Sequence, residues 1–228
     1  VSDLPAESPI RLPNDLTDTV CFTGGDPWMT FISRHYSYPA TRITTGGTDV
    51  SGTLAVMHVK HPLFGNYLVS APFGSYGGFA FRTKEERDAL LGYTKELADA
   101  RNVEYALVRF SDVAEPPPAG WVQHPAYCTF ILSIPEQLDT LMGSFSSNHR
   151  NHIRKSLKQG FSIRYGHLSL LDDAYEGISR GMHELGSPFH NKRYFKSMAE
   201  SLEDKLSFVA MYDNRGKIAG GGVFITQG

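Results

Sequence analysis

The sequence predicts a mixed α/β fold. Short β-rich runs over residues 41–71 lead into a helix with its own start signal and then an apolar run at 103–110. From residue 135 helical periodicity dominates, and the chain ends on a hairpin pattern. The 228 residues make one large domain or two small ones, and 41% hydrophobic with 20% charged side chains is a globular composition able to build a core.

Taken in order, 1–23 is Pro- and Asp-rich and irregular. Asp26-Pro27-Trp28 opens a short helix with Trp28, Met29, Phe31 and Ile32 as its apolar set, Asp26 as cap and Pro27 in the first turn. Thr41–Thr45, Val50–Lys60 and Tyr67–Ala71 read as strands separated by Gly46-Gly47 and His61-Pro62; the middle one is apolar on both sides, as an interior strand is. Thr83 and Glu86 form a capping box that starts a helix reaching Asn102. Val103–Phe110 is expected as the central strand of one mixed sheet spanning 24–134. A stiff Pro-rich loop at Ala114–Gly120 and a strand at Tyr127–Ile134 follow.

The second half predicts helices at Pro135–Phe145 and from a Ser146-Ser147-Asn148 cap to Gly160, then a strand at Phe161–Tyr165. Leu171–Leu185 is a helix with Tyr175, Ile178, Met182 and Leu185 in one stripe, ended by Gly186 and Pro188. Another helix at Lys192–Leu202 precedes a hairpin, Leu206–Tyr212 and Lys217–Thr226, across Asp213-Asn214-Arg215-Gly216. The chain opens on Val1 and closes on the apolar, Gly-rich Ile218–Gly228. We expect it to be a fragment, with Lys217–Gly228 an exposed edge carrying under-buried Val223 and Ile225.

Composition excludes several classes. The formal charge of −2 argues against a globally basic nucleic-acid binder, and no run approaches 18 apolar residues. Cys21 and Cys128 stand alone and far apart, which reads as two buried thiols in a reducing compartment. The expected location is cytoplasmic.

Three stretches can carry chemistry. Gly74-Ser75-Tyr76-Gly77-Gly78 sits between strand and helix, where phosphate-binding turns occur, but it matches neither the dinucleotide nor the P-loop pattern. Glu85 and Glu86 in the next helix's first turn repel an anion. The turn therefore reads as one that lets a substrate chain or another backbone come close, lined by Tyr76, Gly77 and Gly78. Between Thr140 and Leu171 stand five cations (Arg150, Arg154, Lys155, Lys158, Arg164) and no acid. Arg150, Arg154 and Lys158 recur every four residues and form a ridge suited to phosphates or carboxylates, with Asp172, Asp173 and Glu176 as competing partners. His183, off the apolar stripe, is the candidate catalytic base, and His190 lies in the segment after the helix. His149-x-x-His152, among cations, is too weak for a metal site, and no metal is expected.

Three-strand meander, helix and strand is the acetyltransferase (GNAT) pattern, and the second half begins it again. Ser70–Gly78, the basic helix Arg150–Gly160, and Met182–Phe189 with Arg193-Tyr194-Phe195 together resemble the FemAB-type acyltransferases, in the branch associated with exosortase (PEP-CTERM) and exopolysaccharide loci. The similarity runs from about Trp28 to Gly228. It implies a tandem GNAT-like fold: a first unit at 24–134, and the first half of a second at 135–228, truncated before its donor half. It also implies amide formation from an acyl or aminoacyl donor, aminoacyl-tRNA or acyl-CoA, as co-substrate with no resident cofactor. The implied acceptor is an anionic envelope or polysaccharide precursor. Two other readings stay open: a non-catalytic substrate-binding module, and a small-molecule acyl-CoA N-acyltransferase.

Overall fold

A computed structural model describes residues 2–3, 22–47, 49–110, 116–124, 128 and 130–227, and its packing forms two units, Val1–Thr129 and Phe130–Gly228. Most of the irregular 1–23 segment, Cys21, and parts of the 114–120 loop and of the expected 127–134 strand lie outside the described residues.

In the first unit, helix α1 (Asp26–Tyr36) buries Trp28, Met29, Phe31 and Ile32 and carries Pro27 in its first turn. Its cap is the extended Gly25 rather than Asp26. The Asp26 carboxylate is taken by the Arg42 guanidinium, whose side chain is fully buried, so it serves a tertiary ion pair instead of the helix end. The strands are β1 (Ser2–Asp3), β2 (Ala40–Thr45), β3 (Gly52–His61), β4 (Gly65–Val69), β5 (Phe79–Ala80) and β6 (Tyr105–Leu107). They align in the order β1-β2-β3-β4-β6, with β5 also on β3; every pairing is antiparallel except β6 beside β4.

Helix α2 (Lys84–Ala100) starts at the predicted box: Thr83 Oγ1 accepts from the Glu86 N–H, and Glu86 accepts from Arg82 N at 2.8 Å and Thr83 N at 3.2 Å. Its Leu90 and Leu91 pack with Ile43, Leu54, Val56 and Phe79 on one face of the sheet. Arg42 pairs across β3 with Ala55, so it points to the opposite face, where α1 supplies its partner Asp26.

Val103–Phe110 is not the central strand. Only Tyr105–Leu107 forms a strand, on the sheet edge among the described residues, with Tyr105 50% and Leu107 39% exposed. Its apolar composition has another use: Val108 and Phe110 leave the ladder and pack against the α2 core. Phe130–Ile134, described without strand pairing, exposes Phe130, Ile131, Leu132 and Ile134. Cys128 is exposed, against the expectation of a buried thiol.

The second unit comprises α3 (Leu138–Ser144), α4 (Ser147–Leu157), β7 (Ser162–Gly166), α5 (Leu171–Glu184), α6 (Lys192–Leu202), β8 (Leu206–Tyr212) and β9 (Ile218–Ile225). The sheet runs β7-β8-β9, all antiparallel, so β9 is an edge among the described residues with Val223 and Ile225 half-buried and Phe224 59% exposed. Asp213 closes the hairpin by accepting from Arg215 N and Lys217 N, both at 2.8 Å. Helix α6 is capped by Asn191 and buries Tyr194, Phe195, Met198, Ala199 and Leu202.

Helix α5 departs from its predicted stripe. It buries Leu171 and Ala174, leaves Tyr175, Ile178 and Met182 half-buried, and exposes Leu185. Small residues decide its orientation. A Cβ on Gly177 would lie 2.3 Å from the Gly220 carbonyl carbon, and one on Gly221 would lie 2.1 Å from the Ala174 carbonyl oxygen. Helix backbone rests on strand backbone there, which only glycines permit.

Candidate functional site

The Ser70–Gly78 segment bridges β4 and β5 and is built under strain. Ala71 has φ 44° and Phe73 φ 59°, left-handed conformations for residues that carry side chains. Gly77 and Gly78 add φ 136° and 73°. Such strain persists only where surroundings over-determine the backbone, and here they do. Arg109 donates its guanidinium to Gly74 O at 2.6 Å and Ala71 O at 3.4 Å, while its N–H reaches Ser70 Oγ at 2.8 Å. The indole N–H of buried Trp28 donates to Pro72 O at 2.8 Å, and the Thr23 hydroxyl donates to Tyr76 O.

Within this loop Tyr76 is half-buried, and Gly77 and Gly78 are buried. A Cβ on Gly24 would stand 1.6 Å from the Gly78 nitrogen, and Gly78 O accepts from Ala55 N at 2.7 Å. The close approach anticipated for the glycines is therefore made by this chain's own backbone. Phe73 is the exposed member, 52% accessible and stacked on Tyr36 at 5.1 Å. The α2 N-terminus is occupied by its box. Hydrogen bonds, the largest from Ser51, hold the Glu86 carboxyl below the usual carboxylate range, so a negative charge stays at that helix start.

In the second unit, Ser146 caps α4 by accepting from His149 N at 3.3 Å, and α4 carries the cationic ridge with no buried residue. Arg150 is half-buried and bends back: it donates to Phe145 O, and to Gly143 O at 3.4 Å, satisfying carbonyls at the end of α3. Arg154 and Lys158 are exposed and have no carboxylate partner among the described residues. The competing acids are committed elsewhere. Asp172 pairs with Lys192 at 2.9 Å, Glu176 pairs with Arg180, and Asp173 accepts from the Tyr212 hydroxyl.

His183 sits exposed in the last turn of α5. His190 is half-buried, its ring stacked on Tyr194 at 3.9 Å and its carbonyl accepting from the Tyr175 hydroxyl at 3.3 Å. The two histidines share no hydrogen bond or ring contact among the described residues. Sequence reasoning missed Arg109, Trp28 and Thr23 as the loop's supports. Nothing local marks them, since each reaches the loop from more than 30 residues away. The Gly220-Gly221-Gly222 run was a readable sign of the α5 contact.

No protein-family profile and no curated protein matches the sequence. The chain's structure is similar to the crystal structure of FemX, with a TM-score of 0.59 at 16% sequence identity. The match covers 89% of this chain and 57% of FemX, so this chain spans little more than half of FemX's length. At that identity what is shared is the fold, a mixed α/β arrangement of sheets and helices.

Proposed function

We propose that this chain is part of an amide-forming acyl or aminoacyl transferase, FemAB-type in fold, acting in the cytoplasm on an anionic cell-envelope or exopolysaccharide-related acceptor. The likeness to FemX over 89% of the chain carries the reading, supported by the three ordered motifs in the sequence. An acceptor amine attacks the carbonyl carbon of an activated ester or thioester. The C–N bond forms, the C–O or C–S bond breaks, and the amine proton passes through His183 to the departing oxygen or sulfur. Arg154 and Lys158, with Arg150 beside them, hold the acceptor's anionic group.

The donor follows from the α2 start. With the Glu86 N–H taken by the Thr83 hydroxyl and two glutamates in its first turn, that helix start disfavours a pyrophosphate, which favours aminoacyl-tRNA over acyl-CoA at the first unit. A second reading, a substrate-binding module without chemistry, is favoured by one observation: His183 has no orienting partner among the described residues.

The parent protein, incubated with candidate donors and an amine acceptor and followed by mass spectrometry, is expected to form an amide. His183→Ala is expected to lower turnover about 10²-fold or more with binding retained. Changing Arg150 and Arg154 together to Ala is expected to weaken acceptor binding, by less at high salt, where wild-type binding is itself screened. Acceptor binding without any transfer selects the module reading, and unchanged binding in the folded double variant removes the ridge from the site.

A further inference from the structure

The first unit carries a groove of about 600 Å3 between the end of α1 and the β3–β4 hairpin, a volume typical of small-molecule sites. Its basic lining is His35, His58, Lys60 and His61, and no carboxylate among the described residues lines it. Lys60 makes no ion pair among the described residues. Glu104, the acid beside the hairpin, is engaged with the Asn66 N–H at 3.1 Å.

The hydrogen-bond network fixes what the imidazoles offer. Asn66 Nδ2 donates to Asn102 O at 2.9 Å, which turns Asn66 Oδ1 to His58 Nε2 at 2.7 Å. His58 therefore carries its proton on Nε2 and presents Nδ1 as an acceptor when neutral. His61 Nδ1 accepts from Leu63 N at 3.1 Å, so its Nε2 is an N–H donor.

The aromatic lining is largely spent on itself. Tyr36 stacks with Tyr38 at 5.7 Å and with Phe73 at 5.1 Å, and His61 lies on Phe64 at 4.7 Å. These rings do not form an open parallel pair for a flat base. Burial first, and the neighbouring Tyr38 phenol second, raise the Tyr36 pKa, which keeps its hydroxyl protonated at neutral pH. Hydroxyls, ring edges, a lysine ammonium and an imidazole N–H are the chemistry of a polyhydroxylated ring bearing a carboxylate.

We propose that this groove binds an acidic sugar of the hexuronate type, its carboxylate held by Lys60 and the His61 N–H and its hydroxyls met by Tyr36, Tyr38 and His58. The inference goes beyond the transferase reading, since it concerns binding on the first unit and requires no transfer. The test is titration calorimetry of the full chain, without any donor, against trigalacturonate, its methyl ester and inorganic phosphate. Trigalacturonate is expected to bind, and the neutral methyl ester to bind about ten-fold more weakly or not at all. Lys60→Ala, at an exposed position, is expected to cost about ten-fold, Tyr38→Ala to weaken binding further, and Lys196→Ala, an exposed lysine of the second unit, to change nothing. The proposal is overturned by absence of binding, by equal affinity for the ester, by an unchanged Lys60→Ala, or by phosphate displacing the trisaccharide at equal concentration. None of those outcomes touches the transfer assay, so the transferase reading stands or falls separately.

Discussion

Arg42 shows how one side chain can tie two elements of this molecule. Its guanidinium lies fully buried between α1 and the sheet, held by Asp26 and by Thr53 Oγ1 at 3.0 Å, while its Nε has no hydrogen-bond partner among the described residues. Removing one partner of a buried pair leaves an uncompensated charge, which costs more than the pair itself contributes. Asp26→Ala is expected to destabilise the chain by about 3 kcal/mol in urea unfolding. A loss below about 1 kcal/mol would mean that Thr53 alone satisfies the cation.

Glu86 gives a pH signature at the same scale. Because hydrogen bonds depress its folded-state pKa, its contribution is present above the unfolded value and fades as pH falls through the folded one. Glu86→Gln keeps the box geometry but does not titrate. The stability difference between wild type and Glu86→Gln is therefore expected to favour wild type at neutral pH and to shrink below about pH 4, followed by thermal unfolding across the range.

At the scale of elements, the α5–β9 contact decides how the second unit packs. Helix and strand backbones meet at Gly177 and Gly221, so a methyl group has no room. Gly177→Ala is expected to cost about 3 kcal/mol through forced separation of helix and sheet. Gly181→Ala on the same helix meets nothing within 4 Å and is expected to be neutral or stabilising by up to about 1 kcal/mol, from helix propensity. Chemical denaturation of the pair separates the two causes: equal effects would mean that propensity, not contact, governs this helix.

The whole molecule leaves apolar surface uncovered among its described residues. Sheet β7-β8-β9 places Ile163 and Tyr165 opposite Met211 and Val209, and Phe224 opposite Ser207. Ile163, Tyr165 and Phe224 are each more than half exposed. With β9 open at its outer edge, such a surface favours self-association. Phe224→Lys is expected to reduce concentration-dependent association in analytical ultracentrifugation without loss of fold. Unchanged association would place the contact elsewhere, at the exposed Phe130–Ile134 run for instance.

The sequence by itself determined the features set by local chemistry. The α2 start was legible because Thr83 and Glu86 sit within four residues of the groups they bind, and the 213–217 turn because Asp213 caps its own neighbours. Strands β2 and β3, helix α6 and the Ser146 cap follow from the same short-range rules. Of the candidate site, the residues could be named but not their engagements. Arg150 closes the end of α3, Gly77 and Gly78 receive Gly24, and His190 stacks on Tyr194. Tertiary structure decided those, as it decided that Asp26 serves Arg42 and that 103–110 is edge and core filler rather than a central strand. The physical reason is the same throughout. An apolar run or a charged side chain states what must be buried or paired, but which of several distant partners meets it is fixed only when the long-range contacts form together.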